Sequence, residues 1–270
     1  MLKTEMRNEK TMHFDSMSTA DMVAIMAEEN YNSARAVEAA SADIARAVDA
    51  VAAAFAKGGR LFMIGAGTSG RLGVLDAAEC PPTFGVSRDM VVGIIAGGHD
   101  CMFRAAEGEE DSREAGIADI SSHGVGANDV LIGISVAGGA AYVVGALDEA
   151  RARGAVTVAL TSNADTAISR SADITIFTDT GAEVITGSTR LKAGTAHKMV
   201  LNMITTCAMS KTGKVYENMM INLRPSNIKL TARMVRIVGE IVGCDEEEAK
   251  RLLDEGEWSI RRAVEIAKKA

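Results

Sequence analysis

Aromatic residues make up only 4% of the 270, with a single tryptophan, and there are just three prolines. So small a supply of large flat side chains argues against a β-sandwich, whereas helices packed closely on a sheet need the small and aliphatic residues that abound here. Positive charge is short as well: 29 Lys and Arg face 36 Asp and Glu, a net charge of −7. That leaves no basic footprint for nucleic acid, so an anionic ligand has to be held by a local site. Cys80, Cys101, Cys207 and Cys244 are scattered without a C-x-x-C pair, and no signal-peptide pattern precedes them. Reduced thiols in a cytoplasmic protein are expected. His13, His99, His123 and His197 are equally dispersed, and neither set has the spacing of a metal site. No apolar run is long enough to span a membrane, and no repeat or low-complexity tract appears.

What is present is an alternation. Apolar runs at 61–64, 90–96, 129–135, 155–161 and 173–178 read as five buried strands, separated by helical segments of which 140–153 is the clearest. This order means a parallel sheet covered on both faces, with ligands beyond the carboxyl ends of the strands. Ahead of it, residues 1–15 are polar and aperiodic and read as a frayed terminus. Ser18-Thr19-Ala20-Asp21 starts alanine-rich helical sequence running to about Lys57, broken near Ser41. The acidic stretch 103–114 reads as helical. A long helix opens at Gly187-Ser188-Thr189-Arg190, with Leu191, Met199, Ile204 and Met209 inward and Lys192, His197 and Lys198 outward. Beyond Arg224-Pro225-Ser226 the composition shifts to three short charged helices. The expected units are a helical arm (1–57), a ligand-binding domain (58–224) and a three-helix lid (225–270).

The chemistry concentrates in 61–84. There a strand ends at Gly65 and a loop, Ala66-Gly67-Thr68-Ser69-Gly70, leads into helical Arg71-Leu72-Gly73-Val74-Leu75-Asp76. Glycines let the backbone approach a ligand, and hydroxyls with the free N–H groups of a helix start offer donors to an anion. Phosphate is the natural guest. The loop lacks the third glycine of the dinucleotide fingerprint and no acidic residue follows at the required distance, so no nicotinamide or flavin cofactor is expected.

These blocks together resemble the sugar isomerase (SIS) family of phosphosugar-binding domains, and within it the etherases acting on N-acetylmuramic acid 6-phosphate. The resemblance is carried by Thr4-Glu5 with Arg7-Asn8, residues 65–84 including Ala78-Glu79-Cys80-Pro81-Pro82-Thr83-Phe84, Ala96-Gly97-Gly98, Glu110-Asp111-Ser112, and 183–198 with Asn202 and Asn218 behind. It implies a three-layer α/β sandwich on a five-stranded parallel sheet, and a C-terminal module of UBA-like type. It also implies a carbon–oxygen lyase that releases D-lactate and N-acetylglucosamine 6-phosphate in cell-wall amino-sugar recycling, with neither metal nor organic cofactor.

By the same resemblance Glu79 is the acid that protonates the departing lactyl oxygen, and Glu110 the base at C2, although Glu109 in the same acidic run fits almost as well. The residues themselves add that Glu79 lies in apolar Ala77-Ala78-Glu79-Cys80 before Pro81-Pro82, expected to end the helix, where a carboxyl should have a raised pKa. Substrate contacts are expected from Gly67, Thr68, Ser69, Gly70, Arg71, Ser135, Gly138, Glu183, Ser188, Thr189 and Lys192. Ten residues of helix at 1.5 Å each put Glu79 about 15 Å from Ser69, too far for one chain to present both to one hexose phosphate. A homodimer with composite sites is therefore expected.

One block departs from the pattern. Where the family carries serine-glycine-arginine-threonine-proline-tyrosine after the third strand, this chain has Ala137-Gly138-Gly139-Ala140-Ala141-Tyr142. Three side-chain partners for phosphate are missing, each worth roughly 1.5–3 kcal/mol as a charge-assisted hydrogen bond. Retained lyase chemistry with a shifted substrate preference is the expected outcome. Rival readings are a non-catalytic sugar-phosphate sensor, which would tolerate loss of both glutamates, and an aldose–ketose isomerase, which needs no leaving-group acid.

Overall fold

The five apolar runs form five parallel strands in the computed structural model, which describes residues 1–104, 107–223, 225 and 227–269. They are β1 (Leu61–Gly65), β2 (Val91–Ile95), β3 (Val130–Ile134), β4 (Val156–Thr161) and β5 (Ile174–Phe177), in the order β2-β1-β3-β4-β5. Leu61 of β1 is in register with Val91 on one side and Val130 on the other. The chain leaves β1 toward β2 and returns to the opposite side with β3. The resulting switch point puts a crevice beyond the carboxyl ends of β1 and β3.

Successive residues of β1 serve opposite faces. Leu61 and Met63 join a core with α2 (Ser41–Ala56), α3 (Gly67–Phe84) and α7 (Lys192–Lys211). Phe62 enters the other core, with α4 (Arg113–Ser122) and α5 (Ala141–Ala152). A single-turn α6 (Ala167–Arg170) precedes β5, and α1 (Thr19–Ala39), capped by Ser18, packs along α7. A two-strand hairpin, β6 (Val215–Tyr216) with β7 (Met219–Met220), leads to α8 (Ile228–Val242), α9 (Glu246–Glu255) and α10 (Ile260–Ala267). These three helices bury their own core of Met234, Val238, Leu252, Leu253 and Ile260. Arg224 and Ser226 of the expected break before them lie outside the described residues. Among those described, no helix is long and apolar enough to cross a membrane.

Four expectations are corrected. Residues 1–15 are not frayed: Asn163 Nδ2 donates to the buried Thr4 hydroxyl (3.0 Å), and Thr11 Oγ1 donates to the Val184 carbonyl (2.9 Å). Spacing from polar residues alone cannot show that their partners wait more than 150 positions along the chain. Stretch 103–114 is not one helix, because Gly108 takes a left-handed φ of +83° and Ser112 caps a helix that starts only at Arg113; Ala105 and Ala106 within it lie outside the described residues. Pro81 and Pro82 do not end α3. They occupy its last turn, where only the carbonyls of Ala77 and Ala78 lose a donor, and the helix closes at left-handed Gly85, whose N–H reaches the Pro81 carbonyl at 2.9 Å.

The fourth correction concerns α7, which begins at Lys192 rather than at Gly187. Lys192 and His197 point inward, 1% and 0% exposed, while Lys198 is exposed as expected. Lys192 Nζ lies 2.5 Å from Glu29 Oε2 of α1 and 2.7 Å from the Ala182 carbonyl. Burial would raise the Glu29 carboxyl, but hydrogen bonds from Lys192, Asn8 and Lys10 and the Lys192 charge hold it below the usual range. His197, wholly buried, donates or accepts at Ser162 Oγ (3.1 Å), and burial pushes its pKa down to about 3.

A group with a depressed folded-state pKa contributes stability above its unfolded value, and that contribution disappears as pH falls through the folded one. Glu29→Leu, which leaves the Lys192 ammonium buried and unpaired, should cost about 3–5 kcal/mol at neutral pH. In urea titrations the gap to the parent protein should hold from pH 8 to pH 6 and shrink only below about pH 4, the ordinary glutamate range. A gap that is absent at neutral pH would show that the pair does not hold α1 to α7.

Candidate functional site

The β1–α3 connection is built on two glycines that face each other. A Cβ on Gly70 would stand 2.4 Å from the Gly65 carbonyl oxygen and 2.7 Å from Ile95 Cγ1, and one on Gly65 would stand 2.8 Å from the Gly70 nitrogen. Gly70 therefore seats α3 against the strand and does not line the cavity that opens beside it. Gly67, at φ +54° and with open space around it, is where the backbone turns toward the crevice. The first N–H groups of an 18-residue helix are thereby aimed at the carboxyl ends of β1 and β3.

A cavity of about 460 Å³ opens there. Gly67, Thr68, Ser69 and Arg71 line it from α3, Ser135, Ala137 and Ala140 from the β3–α5 connection, Thr189 from the loop before α7 and Gly194 from its first turn. Glu107, Glu109 and Glu110 line it from the acidic turns, and Glu5 from the N-terminal arm. Of the expected contacts, Gly67, Thr68, Ser69, Arg71, Ser135, Thr189 and Glu110 thus come together.

The others do not reach the cavity, for identifiable reasons. Gly138, φ +74°, shapes the loop: its N–H donates to Ser135 Oγ at 3.1 Å, and a Cβ would lie 2.3 Å from Thr166. Glu183 is wholly buried, and its two oxygens accept the N–H groups of Lys192 (3.1 Å) and Ala193 (3.0 Å), capping α7. Burial raises its pKa against those bonds. Ser188 is half-buried outside the cavity lining, and Lys192 is spent on Glu29. Arg71 lines the wall, yet its Nε donates to the Met102 carbonyl (3.0 Å) and its Nη2 to Cys101 (2.7 Å) and Arg104 (3.2 Å). It pins the turn after β2 as much as it faces the crevice.

Glu79 is exposed on α3 and does not line the cavity of its own chain. The apolar surroundings expected for it are not supplied by its own chain, because Ala78 is exposed beside it. One turn earlier on α3 lies Asp76, 5% exposed, which accepts from Asn202 Nδ2 of α7 and keeps Oδ2 without a partner among the described residues. Burial raises the Asp76 carboxyl, opposed by Thr205, Asn202 and Lys198. Sequence reading singled out none of Asp76, Glu5 and Glu107 as a site residue, although Thr4-Glu5 carries part of the family resemblance and Glu107 lies in the acidic stretch.

Comparison with known proteins places this arrangement. A family model described as the glucokinase regulatory protein N-terminal SIS domain matches residues 43–151, and the SIS domain model matches residues 100–207. An N-acetylmuramic acid 6-phosphate etherase of Clostridium botulinum (strain Loch Maree / Type A3) is 48% identical over 97% of this chain and 87% of its own. The chain belongs to the N-acetylmuramic acid 6-phosphate etherase family. Another etherase so named, from Symbiobacterium thermophilum, is 51% identical over 97% of this chain and 87% of its own. Among solved structures, phosphoheptose isomerase GmhA from Neisseria gonorrhoeae overlays with a TM-score of 0.55 at 19% identity, covering 71% of this chain and 98% of that one. That likeness shows the fold, a five-stranded SIS-type α/β sandwich.

In this etherase-family chain the α3 start is expected to hold the anionic end of a ligand. Ser69→Ala should then weaken binding of a hexose 6-phosphate by about 10–100-fold, the value of one hydrogen bond to a charged group, and leave binding of the unphosphorylated hexose unchanged. Equal losses for both ligands in calorimetric titration would place the phosphate elsewhere.

Proposed function

We propose that this protein cleaves the D-lactyl ether of N-acetylmuramic acid 6-phosphate, giving N-acetylglucosamine 6-phosphate and D-lactate in the recycling of cell-wall amino sugar. Near-half identity to etherases along almost the whole chain carries this reading. The chemistry asks for two proton-handling groups. Opening the sugar ring exposes an aldehyde at C1, which acidifies the C2 hydrogen. A base removes that proton, the C3–O bond breaks as lactate leaves and takes up a proton, and water then adds at C3 while C2 is reprotonated.

Glu110 is the proposed base. It lines the cavity from a turn rather than from a rigid strand, and Glu109 beside it is packed with its carboxyl carbon against Gly97, 3.0 Å from where a Cβ there would stand. That packing favours Glu110 as the carboxylate left to meet substrate. Glu79 is the proposed acid, acting in the cavity of a second copy. Leu75, one turn before it on α3, and Met203 on α7 are large apolar side chains left 47% and 37% exposed, which suits a subunit contact. A homodimer with composite sites reconciles an exposed Glu79 with a cavity about 15 Å along the same helix. The phosphate is held by the α3 N-terminus with Thr68 and Ser69, and the thinner β3–α5 loop contributes the Ser135 hydroxyl and backbone N–H groups.

Incubation with N-acetylmuramic acid 6-phosphate and, in parallel, with its unphosphorylated form should release D-lactate from the first. Glu79→Ala and Glu110→Ala should each lower the rate by about 10²–10⁴-fold, the usual value of a positioned acid or base. Lactate only from the unphosphorylated sugar would overturn the proposed substrate, and lactate from neither would overturn the etherase reading in favour of a sugar-phosphate sensor. Mixing Glu79→Ala subunits with Ser69→Ala subunits should restore part of the activity, since one of the two sites in a mixed dimer is then intact. No recovery on mixing would exclude the composite site.

A further inference from the structure

The N-terminal arm is fastened on both sides of residues 5–7, whose side chains make no hydrogen bond or ion pair among the described residues. Lys3 Nζ lies 2.5 Å from Asp179, and Thr4, wholly buried, accepts from Asn163. Beyond it, Asn8 Nδ2 donates to Glu29 Oε2 (2.8 Å) and the Ala182 carbonyl (3.2 Å), and Thr11 Oγ1 donates to the Val184 carbonyl. Between these anchors stands Glu5, which lines the cavity and has no side-chain hydrogen bond or ion pair among the described residues. Its Oε2 lies 3.3 Å from where a Cβ of Gly187 would stand, over the loop that brings Thr189 to the same cavity.

We propose that Glu5 is a specificity-determining residue, whose carboxylate accepts hydrogen bonds from the hydroxyl donors of the bound sugar. An ionised carboxylate offers acceptors only, so it cannot bond a phosphate dianion and repels one nearby. The portion of the ligand that meets Glu5 must therefore carry O–H or N–H groups. Gly187, at φ +77°, presents no side chain to Glu5 from that loop. The anchors on either side limit the freedom the carboxylate loses on binding, which is the chief cost of using a residue from a chain terminus. This inference rests on the proposed phosphosugar site, but its test does not need turnover.

The experiment is calorimetric titration of the 270-residue protein and its Glu5→Ala and Glu5→Gln variants with N-acetylglucosamine 6-phosphate and, separately, with inorganic phosphate, beside the lactate assay. Glu5→Ala should weaken sugar-phosphate binding by about 10–100-fold, raise KM by the same factor and leave inorganic phosphate binding within twofold of the parent. Glu5→Gln, which keeps one acceptor but no charge, should fall between. Unchanged sugar-phosphate affinity in Glu5→Ala would overturn the proposal. So would a parallel loss of phosphate binding with a lowered Tm, which would make the residue part of the arm's structural seat. A parent protein that binds neither probe would overturn the phosphosugar site and this proposal with it. Glu5-dependent binding without lactate release would uphold the proposal and reject only the etherase reading.

Discussion

One buried ion pair ties α1, the start of α7 and the N-terminal arm together at one side of the cavity. Lys192 opens α7, Glu29 lies in the middle of α1, and the loop after β5 supplies both the Ala182 carbonyl for Lys192 and the Glu183 carboxylate that caps the helix. A buried charge is costly unless paired and hydrogen-bonded, so the three segments cannot separate without stranding an ammonium or a carboxylate. Asn8 adds the N-terminal arm to the same carboxylate. The segment carrying Thr189 and Gly194 is thereby fixed relative to the segment carrying Glu5. Binding residues on an arm and a loop acquire the rigidity that a strand or helix would have given them.

The sheet was readable because its signal is local. Runs such as 130–134 are apolar throughout, as strands buried on both faces must be, and the helices between them leave one topology class. The β1–α3 turn was readable too, since glycine spacing reports a close approach wherever it occurs. What the spacing could not report was the partner. Gly70 has its close approach to the Gly65 carbonyl, and a close approach to backbone or to a ligand leaves the same residue in the sequence.

Long-range polar pairing was the part that remained hidden. Lys192, at a helix start and near hydroxyl residues, has the local features of an anion ligand, and Glu183 those of a contact to sugar. Lys192 is satisfied by Glu29, 163 positions away, whereas Glu183 is taken by the N–H groups of Lys192 and Ala193, nine and ten positions on, at a helix start that lies later than the sequence suggests. Glu5 errs in the other direction: it sits in an aperiodic polar stretch that looks unfolded, because the hydrogen bonds that order it come from Asn163, Ala182 and Val184. Burial of charge is a property of the assembled layers. It follows that a lysine or glutamate beside a glycine-rich turn is an equally good candidate for a cap or a strut until its partner is known.

The cavity's charge sets a final constraint on how an anion can be held. Among the described residues, Glu5, Glu107, Glu109 and Glu110 line it together with a single cation, Arg71, whose Nε and Nη2 already serve carbonyls. A phosphate dianion placed among four carboxylates would be repelled at any realistic interior dielectric. Its proposed seat must then be the α3 end, where N–H groups and the helix dipole present positive potential. The carboxylates are left to face the sugar, whose hydroxyls and C–H acids are what carboxylates can accept from. In the β3–α5 connection Ser135 and Gly138 preserve the loop's shape by their mutual hydrogen bond, although Ala137 and Ala140 offer no side-chain donor. Such a loop still confines a ligand by contact and by its backbone. It gives up side-chain grip on charge, and so the burden of discriminating a phosphorylated sugar shifts to the single helix start opposite the acidic wall.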